Sequence, residues 1–107
     1  MKLLKKFDLG KIAESDQDKE VEKIFDGARR QILTVTLRNG AVLSKHKATE
    51  PITVLCLAGK GKFSFGANLE EETELSAGVL LTLEAGIEHE AVAAPELKIL
   101  VTKFKEN

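Results

Sequence analysis

Apolar and polar residues alternate along most of the chain from residue 31 onward. In the segment 31–38 every second residue is apolar and several are β-branched, which is typical of a strand with one buried face. The pair Asn39-Gly40 that follows is a strong signal for a tight turn. We predict a second short strand over 41–48.

The middle of the chain carries its most apolar segment, residues 52–59. It has no polar face, so we predict a strand that is buried on both sides. The preceding proline, Pro51, favours an extended conformation before the strand. Gly59-Lys60-Gly61 is predicted to be a turn into a strand over 62–66.

The C-terminal half continues the same pattern. A polar turn is predicted over 68–72, followed by one or two strands over 73–86 with an interruption at Ala77-Gly78. Two further strands, 88–94 and 97–104, are predicted on either side of Pro95.

The N-terminal residues 1–20 are polar and mixed in charge, and we predict a peripheral segment there. Residues 21–25 fit either a short helical turn or an edge strand that ends at Asp26-Gly27, and the strand is favoured. The chain then holds eight or nine short strands and no long helix. This pattern predicts an all-β barrel or sandwich.

Composition narrows the function classes. The 107 residues fit one domain, and the net charge is −1, from 16 basic and 17 acidic residues. Without a basic surplus, tryptophan or tyrosine, a nucleic-acid partner is not expected. We expect no membrane span and no signal peptide, and the single cysteine is compatible with a cytoplasmic location.

Glycine and histidine spacings then point to a known family. Gly40 precedes His46 by five intervening residues, and Gly59 closes this first motif. A second motif contains the residues Gly78, Gly86 and His89, with Glu84 where the motif has proline and Ala93 where it has asparagine. Together these spacings resemble the small single-domain cupins (cupin type 2, conserved barrel).

The resemblance implies a fold and a domain organisation. Residues 1–107 would form one cupin domain, a double-stranded β-helix or jelly-roll barrel, with about 31–104 as its core. In that fold the two histidines would face each other across the barrel mouth.

The resemblance also implies a metal site that is incomplete here. His46 and His89 stand at the first and last ligand positions of the family, whereas Ala48 and Ile52 replace a histidine and a glutamate. Glu50 lies nearby in sequence and is predicted as a third ligand, since alternation turns Glu88 and Glu90 away from His89. This would give two histidines and one carboxylate. Such a set suits a divalent metal such as zinc, nickel, iron or manganese. The alternative is that both histidines are ordinary pocket residues, hydrogen-bonded to backbone or water.

Alternation along the predicted strand 52–59 also indicates which residues line a pocket. Ile52, Val54 and Cys56 share one face, and with His46 and His89 they are predicted to line a mostly apolar ligand site. Cys56 would act there as a soft ligand or a nucleophile, or simply as a small buried hydrophobe.

The sequence gives little support for phosphate binding or for catalysis by a serine or tyrosine. The segment 59–62, Gly-Lys-Gly-Lys, lacks the spacing of a phosphate-binding loop, and the acidic run 70–74 is typical of a solvated surface turn. No serine is marked as activated by a histidine base, and there is no tyrosine to serve as a proton donor.

We therefore predict a cupin-fold protein that binds a small molecule in the barrel beside a degenerate metal site. One alternative is a metal-dependent oxygenase or isomerase that uses His46 and His89 as ligands. A second alternative is a dimeric structural or regulatory module that senses a ligand. A homodimer is expected in each case.

Overall fold

Seven β-strands make up the regular structure of residues 4–105, the part of the chain that the computed structural model describes. In chain order they are β1 (Lys19–Asp26), β2 (Arg30–Leu37), β3 (Val42–Lys47), β4 (Ile52–Phe65), β5 (Glu71–Ser76), β6 (Leu80–Leu83) and β7 (Glu88–Phe104). A short 3-10 turn, Ala67–Leu69, precedes β5. The prediction of an all-β fold is confirmed, and β1 is the predicted edge strand.

The strands form two layers that share the long strands β4 and β7. In the first layer, the first half of β4 pairs with β6, the second half of β7 pairs with β2, and β1 lies at the outside edge. In the second layer, the second half of β4 pairs with β5 and the first half of β7 pairs with β3. All pairs are antiparallel. This arrangement is a jelly-roll barrel whose sheet does not close into a complete ring.

The glycine-rich segment of β4 corrects the sequence prediction. Gly59 and Gly61 do not form a turn between two strands, because β4 runs through them and only shifts its register against β7. A Cβ atom on Gly59 would lie 2.1 Å from the carbonyl oxygen of Glu96, and Gly59 has a φ of +80°. Only glycine allows the two strands to cross this closely at the corner between the layers.

Strand β7 turns the same corner opposite those glycines. Pro95 was predicted to separate two strands, but β7 continues from Glu88 to Phe104 through a cis Ala94-Pro95 peptide bond. The register of β4 against β7 resumes on both sides of the proline. The breaks predicted at Gly59-Lys60-Gly61 and at Pro95 are therefore a single bend that β4 and β7 share.

The first part of β4 has one buried face and one half-buried face. Ile52, Val54 and Cys56 are at most 3% exposed, whereas Leu55 and Leu57 are only half-buried. The prediction of burial on both sides was wrong, because nothing in the described residues fully covers the outer face of this layer.

The hydrophobic core lies between the two layers. It is built from the inward-facing residues of all the central strands, among them Val35, Leu37, Phe63, Leu75, Leu97 and Ile99. Each such side chain stabilises the fold by roughly 1.5–3 kcal/mol through burial.

The N-terminal arm, which we define as residues 4–18, lies against the outer face of the first layer. Buried Arg38 holds it by donating hydrogen bonds to the carbonyl oxygens of Ala13 (2.7 Å) and Gln17 (2.8 Å). Arg38 also forms an ion pair with Glu20 of β1. Lys98 donates to the carbonyl oxygen of Lys11 at 2.8 Å. Within residues 4–105, no helix has the length and apolar character needed to cross a membrane.

Candidate functional site in the barrel interior

A cavity of about 170 Å³ lies between the two layers. Most of its wall is apolar and comes from the inner faces of β1, β2, β4 and β7, with the polar groups of His46, His89 and Lys103 at its margins. The lining residues of the first layer and the connection after β3 are Val21, Leu33, Val35, Ala48, Ile52, Val54, Ile99, Val101 and Lys103. Leu43, His46, Phe63 and His89 line it from the second layer.

His46 and His89 are direct neighbours on adjacent strands. They stand opposite each other in the β3–β7 register, with their Nε2 atoms 3.0 Å apart and their ring centroids 4.1 Å apart. The two rings face each other, as expected, but they do so from adjacent strands at one margin of the cavity and not across the mouth of the barrel.

A β-bulge creates this pairing. The register shifts by one residue between Leu43 and His46, so that His46 stands opposite His89, where an unbroken ladder would have placed Lys45. Bulges commonly re-aim a side chain near functional sites in this way. The alternation of apolar and polar residues contains no signal of the extra residue.

Each histidine is also fixed by a backbone carbonyl. The Nδ1 atom of His46 lies 2.8 Å from the carbonyl oxygen of Ser44, and that of His89 lies 2.9 Å from the carbonyl oxygen of Ile87. A carbonyl oxygen only accepts, so each Nδ1 must donate its hydrogen there. In their neutral forms both Nε2 atoms then carry lone pairs and point at each other.

The pair is therefore one hydrogen short. Three short contacts, two to carbonyls and one between Nε2 atoms, require three hydrogens, and two neutral imidazoles supply two. With both Nδ1 hydrogens donated to carbonyl oxygens, the contact between the Nε2 atoms lacks a hydrogen. This local shortage makes the pair a site that favours a metal ion or a ligand hydroxyl.

Burial keeps His89 neutral. Its side chain is only 4% exposed and stacks against the ring of Phe63 at 5.6 Å. Desolvation lowers the pKa of His89 below its ordinary value, the charges of His46 and Lys103 lower it further, and the bond to Ile87 opposes this only in part. His89 thus offers an Nε2 lone pair near neutral pH.

Glu50 does not join the histidines. It lines a separate cleft with Gln31, Lys103 and Lys105, and its Oε2 accepts a hydrogen bond from Thr49 at 2.9 Å. Across residues 4–105, no group of three histidine, cysteine, aspartate or glutamate side chains is placed to hold a metal. The predicted three-ligand set of His46, His89 and Glu50 is therefore not assembled.

The two histidines by themselves fit part of a metal's coordination shell. Ligand nitrogens lie about 2.0–2.1 Å from zinc, so two of them in a tetrahedral shell lie about 3.3–3.4 Å apart. The Nε2 separation of 3.0 Å is slightly shorter than that spacing, and both lone pairs are free to coordinate. The third ligand that protein metal sites usually provide is missing in this part of the chain.

Cys56 lies beside the cavity and does not line it. Its side chain is buried, and its Sγ lies 3.6 Å from the carbonyl oxygen of Ala58. Desolvation raises the pKa of the Cys56 thiol, so the group stays protonated near neutral pH. Cys56 therefore serves the core as a small hydrophobe.

Ile52 and Val54 lie where the sequence predicted, on the cavity wall. Lys103 was not among the predicted site residues. Its signal was present in the sequence, because Lys103 continues the inward-facing series Leu97, Ile99 and Val101 on β7.

Comparison with solved structures identifies the fold. A conserved protein of unknown function from Streptococcus pyogenes matches with a TM-score of 0.81 and 20% identity, covering 100% of this chain and 92% of the other. An RmlC-like cupin from Desulfovibrio desulfuricans matches with a TM-score of 0.78 and 22% identity, covering 92% and 94%.

A third similar structure has a double-stranded β-helix fold, the fold that the sequence predicts. An RmlC-like cupin family protein with a double-stranded β-helix fold from Methanocaldococcus jannaschii matches with a TM-score of 0.72 and 18% identity, covering 87% of this chain and 86% of the other. No protein-family model and no curated protein matches the sequence. The resemblance to cupins is confirmed at the level of the fold.

Proposed function

We propose that this cupin-fold chain binds a compact small molecule in the barrel interior. The observation that carries the proposal is the cavity of about 170 Å³, whose wall is mostly apolar and whose few polar groups converge at its margins. Ligand sites commonly combine an apolar wall with a few convergent polar groups. An apolar cavity of about 150 Å³ is large enough to hold benzene. The ligand body is therefore about the size of one aromatic ring.

The histidine pair provides the polar recognition at one margin. The free Nε2 lone pair of His89 accepts a hydrogen bond from a ligand hydroxyl, which supplies the hydrogen that the pair lacks. Phe63 stacks on His89 and so fixes the orientation of its imidazole ring. The surrounding apolar wall excludes water from this contact and so strengthens it.

The test uses benzyl alcohol and phenol as probes in titrations followed by NMR. We expect saturable shifts at residues around the cavity. Val54→Phe fills the cavity and should weaken binding at least about tenfold, because the added ring occupies the ligand volume. Ala48→Phe, at a partly buried position of the same lining, is a second filling variant in case the first packs poorly.

The matched control is Cys56→Val. This residue lies on the same strand and the same face as Val54 but outside the cavity lining, so binding should be unchanged. Titrations in which neither probe shifts any cavity residue would contradict the proposal. Equal binding by the folded wild type and both filling variants would also contradict it.

A metal-dependent enzyme is a second candidate, favoured by the convergence of the two Nε2 atoms at 3.0 Å. His46 and His89 would hold a divalent metal such as zinc, nickel, iron or manganese. When bound through only two protein ligands, such an ion supplies Lewis-acid chemistry with several positions open to substrate.

Elemental analysis and melting temperatures separate this candidate from the first. Specific binding of zinc, nickel, iron(II) or manganese should raise the melting temperature by mass action. His46→Ala and His89→Ala should each abolish the rise, and Lys47→Ala on the same strand should retain it. The metal-dependent candidate fails if no metal is bound and no metal shifts the wild-type melting temperature.

A further inference from the structure

Lys103 extends the inner face of β7 to the open end of the cavity. It stands opposite Ile52 on one side and Gln31 on the other, and it follows Val101 on the same face. Its side chain is half-buried and borders both the cavity and the adjoining cleft. Unlike the ammonium groups of Lys98 and Lys105, that of Lys103 has no hydrogen bond or ion pair within residues 4–105.

The cavity lining contains no carboxylate to neutralise this charge. Its polar side chains in the described part of the chain are Lys103, His46 and His89, which are all basic or neutral. The carboxylate of Glu50 lies in the adjoining cleft, where it accepts a hydrogen bond from Thr49 and forms no ion pair with described residues.

The charge on the cavity wall is therefore positive and is carried by Lys103. A wall with this charge and no neutralising carboxylate favours an anion as the ligand.

We propose that the ligand is a small organic monocarboxylate that pairs its carboxylate with Lys103 and buries its apolar body against Val54 and Val101. This proposal rests on the proposed function and names its ligand class. A single unpaired ammonium matches a single carboxylate, and a hydrogen bond between charged groups is stronger than one between neutral groups. The carboxylate lies at the open end, so that a ring-sized body fits within the cavity of about 170 Å³.

The experiment compares benzoate with benzyl alcohol, a neutral compound of similar size, by calorimetric titration of the full chain at neutral pH and low salt. Benzoate should bind at least about tenfold more tightly, the difference expected for a hydrogen bond between charged groups. Added salt should weaken only benzoate binding, because screening acts on the charged ligand.

Variants of Lys103 identify the partner. Lys103→Met keeps the aliphatic stem and removes the charge, so it should weaken benzoate binding about tenfold or more and leave benzyl alcohol binding unchanged. Lys103→Arg keeps the positive charge and should therefore retain the preference for benzoate. That result would show that benzoate binding weakens in Lys103→Met because the charge is removed. The matched control is Lys60→Met, at an exposed lysine on β4 outside the cavity lining, and it should change neither affinity.

The outcomes separate this inference from the proposed function. Equal binding of both probes, unaffected by Lys103→Met, overturns the carboxylate assignment and leaves the small-molecule site standing. Binding of neither probe overturns both. A benzoate preference that persists in Lys103→Met overturns the role of Lys103.

Discussion

The histidine pair illustrates how single residues set the chemistry of this barrel. Two carbonyl oxygens fix the Nδ1 hydrogens of His46 and His89, so the remaining lone pairs meet at an Nε2 separation of 3.0 Å. This arrangement is costly unless a hydrogen or a cation lies between the rings. What occupies that position decides whether the site acts as a hydrogen-bonding group or as half of a metal site.

Protonation of His89 should lower the stability of the fold. Its pKa is depressed below the ordinary value of 6.5 by burial, then by His46 and Lys103. As the pH falls below 6.5, His89 binds a proton in the unfolded chain but not in the native state, so the free energy of unfolding decreases. The decrease ends once the pH has passed below the pKa of His89 in the native state. The full contribution of His89 is present above the unfolded pKa.

Urea unfolding between about pH 7.5 and about pH 5.5 measures this effect. The urea concentration at the midpoint should decrease in the wild type as the pH is lowered. The change of this midpoint with pH should be smaller in His89→Gln. A midpoint that rises as the pH falls would contradict the prediction, because it would mean that the pair binds a shared proton.

Restoring a missing ligand should strengthen metal binding. Ala48 lines the same cavity as both histidines and stands where the cupin pattern has its second histidine. Ala48→His should raise zinc affinity at least about tenfold by adding a third donor. Competition with a chromophoric chelator measures the affinity. Ala48→Phe is the control, and equal zinc affinities for the wild type and Ala48→His would refute the expectation.

At the scale of elements, the bend shared by β4 and β7 determines the fold. Gly59 and Gly61 allow the backbones to approach, and the same bend carries both strands from one layer to the other. The arm and β1 are added at the edge of the first layer, where Arg38 connects them to the end of β2.

Gly59→Ala should be strongly destabilising, by about 3 kcal/mol or more, because its Cβ would collide with the backbone of Glu96 and its φ of +80° is unfavourable for alanine. Gly78→Ala is the matched control, since its φ is +94° but no atom lies within 4 Å of the new Cβ. Thermal unfolding should show a loss of only about 1–2 kcal/mol there. Equal losses at both positions would mean that close approach at the bend has no role.

Arg38→Met should release the N-terminal arm. The substitution removes the donors to the carbonyl oxygens of Ala13 and Gln17, at a cost of about 2–3 kcal/mol in unfolding free energy. Trypsin should then cleave after Lys11 faster than in the wild type, as mass spectrometry would detect. Lys60→Met serves as the control. Unchanged cleavage in a folded Arg38→Met protein would show that Arg38 does not hold the arm.

For the whole molecule, a short apolar strip on β4 and β6 stays exposed on the outer face of the first layer. Leu80 is 61% exposed and stands beside half-buried Leu55 on this face. We propose that this strip contacts a second copy, which would form the homodimer expected from the sequence.

Light scattering at micromolar concentration should give a mass twice that of the 11.7 kDa chain. Leu80→Glu should shift the protein toward the monomer, because it places a charge in the apolar contact. Lys60→Glu, on an exposed site of β4, should leave the mass unchanged. A monomeric wild type would exclude the homodimer.

The alternation of apolar residues, the turn signals and the glycine–histidine spacings were sufficient for the sequence to predict an all-β cupin fold. These signals are local, and each acts through the geometry of a few neighbouring residues. The inward positions of Ile52 and Val54 follow from the same alternation. So does the position of Lys103, although this residue was not among the predicted site residues, because lysine is ordinarily a surface residue.

Only the tertiary structure decided what depends on contacts between distant segments. The close approach at Gly59, the passage of β7 through Pro95 and the separation of Glu50 from the histidines each depend on a strand far away in sequence. The bulge before His46 has the greatest consequence, because a shift of one residue exchanges Lys45 for His46 opposite His89. Side chains alternate with a period of two, so strand register, which no local pattern records, determined whether the two histidines would meet.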